Sequence, residues 1–203
     1  MKIICIGRNY ADHAKELANP IPDAPLLFFK PDTALLRNNQ DFYYPDFSND
    51  IHHECELVYL IGKEGKHVNR RFAREYVSGV GLGIDFTARD LQAIAKAKGH
   101  PWTLAKMFNN SAPVSRFLGV EEFPNWNDIR FELRVNGESR QKGWTGDLLF
   151  DLEYLIEYIT RFITLKKGDL IFTGTPAGVA PVKVGDRLQA SLEQHELLDF
   201  YVR

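Results

Sequence analysis

The apolar positions along the chain change period several times, and each change marks an element. Residues 2–6 (Lys-Ile-Ile-Cys-Ile) form a short apolar run of the kind a buried strand needs, and residues 26–30 form another. Between them a helical pattern over about 10–18 is stopped by Asn19-Pro20, and a Pro-rich loop follows. Over 54–61 the period is two. Cys55, Leu57, Tyr59 and Ile61 fall on one face, and Glu54, Glu56, Val58 and Leu60 on the other. Residues 69–77 predict a helix, 80–86 an apolar strand punctuated by Gly81 and Gly83, and about 87–98 a second helix. Segments 129–135 and 138–144 flank Asn136-Gly137. Both central positions of a type I′ turn need positive φ, so this pair predicts a hairpin. Leu152, Leu155, Ile156, Ile159 and Phe162 make a core-facing helical stripe, and 169–173 and 187–202 add strands. Strands dominate and no regular βαβ alternation is visible, which predicts an α+β fold with a β-rich core.

A chain of 203 residues with 44% hydrophobic content can bury a full core without disulfides or a structural metal, and one domain over 1–203 is the expectation. The formal charge of -2 offers no basic field for a phosphate backbone, so nucleic acid is not an expected partner. Run 2–6 is too short for a signal-peptide core, and no stretch is long enough to span a bilayer. Cys5 and Cys55 sit singly in apolar strand-like runs and read as small buried hydrophobes, which suits a reducing cytoplasm.

Glu54 and Glu56, two apart on a strand, project the same way from Cα atoms roughly 6.5–7 Å apart, within reach of one cation. The alternative is an ordinary solvated strand face. Asp85 closes an apolar, glycine-containing run where a carboxylate is costly to bury without a partner; otherwise it is an N-cap for the following helix. Convergence of the three would make an all-oxygen site with open positions, better suited to Mg²⁺ or Mn²⁺ than to Zn²⁺. His52 and His53 stand beside the pair and read as surface or hydrogen-bonding residues rather than ligands.

His13 and Glu16 lie three apart on the first predicted helix, either as a hydrogen-bonded dyad or as an ordinary charged face. Arg89 and Gln92 share that spacing and could present donors to a bound carboxylate, or simply face solvent. Lys30 and Lys106 each end an apolar run and could snorkel. Thr173-Gly174-Thr175-Pro176 is a tight loop that is either only a turn or a source of hydroxyl and N–H groups for an anion.

Taken in order, Gly7-Arg8-Asn9-Tyr10-Ala11-Asp12-His13, Phe29-Lys30-Pro31, His53-Glu54-Cys55-Glu56-Leu57, Asp85 through Gln92, Pro101 through Lys106, Val135-Asn136-Gly137-Glu138 and Gly168-Asp169 through Pro176 resemble the catalytic core of the fumarylacetoacetate hydrolase family, in its short acylpyruvase and oxaloacetate decarboxylase branch. The resemblance covers nearly the whole chain. It implies a β-roll of stacked sheets with peripheral helices, assembled as a homodimer. It also implies Glu54, Glu56 and Asp85 as ligands of Mg²⁺ or Mn²⁺, His13 and Glu16 as a water-activating dyad, and Lys106 as a catalytic helper. Lys30, Arg89, Gln92 and Thr175 then fall at or beside the substrate. Relatives carry Gly-Phe-Asp after the lysine, whereas Met107-Phe108-Asn109 stands here, removing a carboxylate expected near the pocket.

A 2-oxo acid held at such a site would cleave through a pyruvate enolate. Hydrolysis of an acylpyruvate is the expected reaction, because the His13–Glu16 pair is intact. Decarboxylation of oxaloacetate comes second and isomerisation of a hydroxymuconate-type diacid third. A non-catalytic ligand-binding protein on the same fold is the alternative of a different class.

Overall fold

The computed structural model describes residues 1–11 and 21–203, so nearly all of the predicted first helix, with His13 and Glu16, lies outside the described residues. The chain builds β1 (Ile3–Gly7), β2 (Leu26–Lys30), β3 (Leu35–Leu36), β4 (Ile51–His53), β5 (Cys55–Ile61), β6 (Val77–Ile84) and β7 (Thr87–Ala88). Helices α1 (Arg89–Lys98) and α2 (Thr103–Lys106) follow, then β8 (Ala112–Pro113), β9 (Arg130–Val135), β10 (Glu138–Trp144), α3 (Leu152–Phe162), β11 (Leu170–Phe172), β12 (Ala180–Pro181), β13 (Arg187–Leu192) and β14 (His195–Tyr201). This is the strand-rich α+β class that the patterning predicts.

Two sheets carry the architecture. The first runs β2-β1-β11-β5-β6, with β1 and β11 parallel and the other neighbours antiparallel. The second, β10-β9-β13-β14, is antiparallel throughout. The period-two reading of β5 holds. Cys55, Leu57, Tyr59 and Ile61 enter the main core, while Val58 joins a second cluster with Ile3, Cys5, Leu170 and Phe172. Both faces of β5 are therefore covered, and Glu54 and Glu56 are buried rather than solvated. Cys5 and Cys55 are buried free thiols, and burial pushes the pKa of each upward.

The Asn136-Gly137 turn has φ of 54° and 81°, as its hairpin requires. Helix α3 starts where the Asp151 side chain accepts from Tyr154 N at 2.9 Å, and it buries Leu152, Leu155, Ile156 and Ile159. Phe162, expected in that stripe, is 65% exposed in its last turn. The helix expected at 69–77 is a 3-10 helix, Arg70–Tyr76. It buries only Ala73 and must deliver the chain into β6, which begins three residues earlier than the pattern indicated. Residues 87–88 pair with β4 before α1 starts, a long-range choice that local pattern does not carry.

Candidate active site

Glu56 lies on β5, Glu54 immediately before it, and Asp85 immediately after β6, its antiparallel neighbour. The Asp85 N–H donates to the Glu54 carbonyl at 2.7 Å, which fixes the two strand ends together. Ligand oxygens of Glu54, Glu56 and Asp85 all lie within 4.8 Å of one another, and all three residues are buried. Asp85 is thus no helix cap; the N-cap position of α1 is Ala88.

Three cations answer the three carboxylates unequally. Lys106, on α2, places Nζ 2.8 Å from Glu54 Oε2, 2.6 Å from Asp85 Oδ2 and 2.6 Å from Thr87 Oγ1. Burial works against its ammonium, but Asp85 and Glu54 outweigh burial and hold its pKa above the ordinary lysine value. Arg89 donates from Nη2 to Glu54 Oε1 at 2.6 Å and from Nη1 to Gln92 Oε1 at 2.7 Å. Its Nε–H is buried with no partner among the described residues. Lys30 sits 2.8 Å from Asp85 Oδ1 and also donates to Phe86 O, Ser111 O, Ser111 Oγ and the Lys106 carbonyl. Lys30 neither snorkels nor lines the cavity; it stands behind Asp85 and aims it.

Glu56 is the exception. Its Oε2 accepts from Gly174 N at 2.6 Å, and no cation among the described residues forms an ion pair with it. Burial, then the charges of Asp85 and Glu54, push its pKa well above the usual glutamate range. A divalent cation among the three oxygens would relieve that repulsion, and an all-oxygen donor set suits Mg²⁺ or Mn²⁺. The residues present therefore fit such an ion. The inner space beside them measures about 40 Å³, room for an ion and a water, and it opens outward between Arg8, Phe28, Lys96 and Trp102.

The 173–176 loop closes the floor. Thr175 Oγ1 donates to Cys55 O at 2.8 Å and accepts from Gln141 Nε2 at 2.7 Å. Gln141, on β10 of the other sheet, also accepts from Cys55 N at 3.0 Å, contacts His53 Nδ1 at 3.0 Å and donates to Pro176 O at 2.9 Å. His53 is buried on this amide, and His52 lies 2.9 Å from Asp50; neither stands in the carboxylate cluster. Gly174 has φ of +99°, and a Cβ there would lie 2.9 Å from Asn9 Cβ. Gly174→Ala is expected to lower stability by more than ~1 kcal/mol and to weaken metal binding, because the N–H that holds Glu56 must move. Unchanged Mn²⁺ affinity in calorimetry would refute this.

Every metal and substrate residue expected from sequence inside the described region is brought together here except Lys30, which is one layer behind. Asn109 is exposed and does not line this cavity. Sequence reading missed Arg8, Phe28, Lys96 and Trp102, which form the rim. Lys96 carried a signal, since it follows Arg89 by seven residues and Gln92 by four on one helix face. Arg8 carried none beyond its motif.

A buried three-carboxylate cradle with an ammonium against two of its members is the donor set of a candidate enzyme site for a divalent ion. The chain belongs to the fumarylacetoacetate hydrolase family, whose C-terminal domain description matches residues 2–200. A mitochondrial oxaloacetate tautomerase of Mus musculus is 44% identical over 201 residues, covering 99% of this chain and 91% of the relative. A mitochondrial oxaloacetate decarboxylase of Dictyostelium discoideum is 45% identical, covering 94% of this chain and 88% of its own. A crystal structure of fumarylpyruvate hydrolase from Pseudomonas aeruginosa in complex with Mn²⁺ and pyruvate is 34% identical with a TM-score of 0.94, covering 100% of this chain and 89% of that one. Among the described residues no helix is long and apolar enough to cross a membrane.

Proposed function

We propose that the protein is a Mg²⁺- or Mn²⁺-dependent enzyme that interconverts the keto and enol forms of oxaloacetate and can decarboxylate the same substrate. The observation that carries this reading is the contact of the Lys106 ammonium with Glu54 and Asp85, beside a Glu56 that lacks a described cation. The names of the curated relatives support oxaloacetate over an acylpyruvate. A bound divalent ion would neutralise charge on the carboxylate and keto oxygens of a 2-oxo acid. The chain's own residues do the rest. Lys106 Nζ holds a proton beside the oxygen that becomes enolate, Arg89 with its unspent Nε–H and Gln92 orient the substrate carboxylate, and Phe28 and Trp102 limit water. Tautomerisation moves a proton from C3 to that oxygen and keeps C4; decarboxylation breaks the C3–C4 bond, loses CO₂ and leaves the enolate of pyruvate, which is held at the same place and then takes a proton at C3.

Acylpyruvate hydrolysis, expected first from sequence, is the second reading, favoured by the coextensive fold of the fumarylpyruvate hydrolase. It needs a base for water, the role assigned to His13 with Glu16 behind it. Purified protein with Mg²⁺ is expected to accelerate decay of enol-oxaloacetate absorbance, and EDTA should abolish the effect. Rapid acetylpyruvate cleavage with no effect on oxaloacetate would reverse the order of the two readings. His13→Ala should depress any hydrolysis by about 10²–10⁴ and spare decarboxylation, which requires no water. Parallel loss of both would assign His13 to closure or binding. The homodimer belongs to the same reading, and the partly exposed Leu35, Leu60 and Phe117 beside the second cluster offer it an apolar face.

A further inference from the structure

Arg8 and Lys96 are cations that the metal cradle does not use. Among the described residues two of the cradle's carboxylates, Glu54 and Asp85, already face three other cations, Lys30, Lys106 and Arg89. Arg8 and Lys96 line the same cavity from opposite chain segments, the turn after β1 and the third turn of α1. Neither has an ion-pair partner among the described residues. Lys96 Nζ lies over the Trp102 ring, 5.6 Å from its centroid, and burial together with Arg89 and Arg8 lowers its pKa. The rim therefore holds two positive charges that oppose each other.

Arg8 is held there deliberately. Its φ is +59°, a conformation non-glycine residues seldom adopt. The cause is the next residue. Asn9 is fully buried and clamped, donating from Nδ2 to Thr173 O at 2.8 Å and Phe150 O at 3.0 Å and accepting from Phe150 N at 2.8 Å. That clamp turns the chain sharply after β1 and presents Arg8 at the cavity mouth.

We infer that Arg8 and Lys96 form the subsite for a second carboxylate, so that the enzyme selects 2-oxo dicarboxylates over 2-oxo monoacids. This rests on the 2-oxo acid reading above. A head group directed at Glu54, Glu56 and Asp85 leaves the distal carboxylate of oxaloacetate two bonds beyond the keto carbon, to be taken by cations that have no ion-pair partner among the described residues. Rim cations also raise the encounter rate of a dianion.

The test uses the Mg²⁺-loaded full chain and two ligands that differ only in the distal group: oxaloacetate, followed by turnover, and 2-oxobutyrate, followed as a competitive inhibitor and by calorimetry. Arg8→Asn keeps a residue that tolerates positive φ, and Lys96→Gln keeps a helix former on an exposed position. Each should raise the KM of oxaloacetate by about tenfold, the usual weight of one charge-assisted hydrogen bond. The affinity for 2-oxobutyrate should stay within about twofold. Arg8→Lys should recover part of the loss. Equal weakening of both ligands, or no change in KM, would overturn the inference, and if the Arg8 variants fold poorly the Lys96 variant decides alone. Wild-type protein that neither turned over oxaloacetate nor bound 2-oxobutyrate would bring down the 2-oxo acid reading, and this inference with it.

Discussion

Glu56→Ala should reduce turnover of any 2-oxo acid by at least about a thousandfold, as should chelation of the wild-type enzyme. A metal that stabilises developing charge supplies several kcal/mol, and ~4 kcal/mol is a factor of about a thousand. Glu56 is the cleanest of the three positions because its removal orphans no described cation. Asp85→Ala would leave the buried Lys30 ammonium without its ion pair and Lys106 with Glu54 alone, and cost roughly 3–5 kcal/mol of stability besides. Wild-type protein should gain about 2.7 kcal/mol at Mn²⁺ a hundredfold above its Kd, roughly 5–10 °C in Tm for a chain of this size. The Glu56 variant should gain almost nothing. Near-normal turnover by Glu56→Ala in EDTA would defeat the metal assignment.

Lys106→Met should separate activity from metal affinity, in opposite directions. Nζ touches Glu54, Asp85 and Thr87, so its loss removes both the proton beside the enolate and a cation that competes with the metal for two of the three carboxylates. Turnover should fall by about 10²–10³, the weight of one preorganised donor at a developing oxyanion. Mn²⁺ should bind more tightly than to wild type. Weaker Mn²⁺ binding in parallel with lost activity would make Lys106 a scaffold for the carboxylates instead.

The cradle was partly legible in sequence because its geometry is local and periodic, although the pattern alone left a solvated strand face and a helix cap as alternatives and the family resemblance singled out the three carboxylates. Two glutamates at a spacing of two share a strand face, and an aspartate at the end of a glycine-containing apolar run has nowhere inexpensive to go. The hairpin at Asn136-Gly137 and helix α3 were legible for the same reason. Illegible were the features set by partners far along the chain. Lys30 is drawn inward by Asp85 and Ser111, which no pattern around 26–30 announces. Gln141 sits among exposed polar neighbours on β10, yet its amide is spent on β5 and the 173–176 loop. The positive φ of Arg8 follows from contacts of Asn9 with residues 150 and 173.

The position of β11 bears on how the protein is made. This three-residue strand lies between β1 and β5, parallel to one and antiparallel to the other, and it is followed at once by the loop whose Gly174 holds Glu56. During synthesis the N-terminal strand pair and the β5-β6 pair both emerge long before it, each with one edge unmatched. They can join only when residue 172 leaves the ribosome. Until then the two sheet edges are open to pairing with other chains, and the carboxylates lack the loop that fixes their geometry. Maturation of the catalytic centre is thus a late, C-terminal event. Nascent chains that stop short of β11 should be the species most dependent on chaperones.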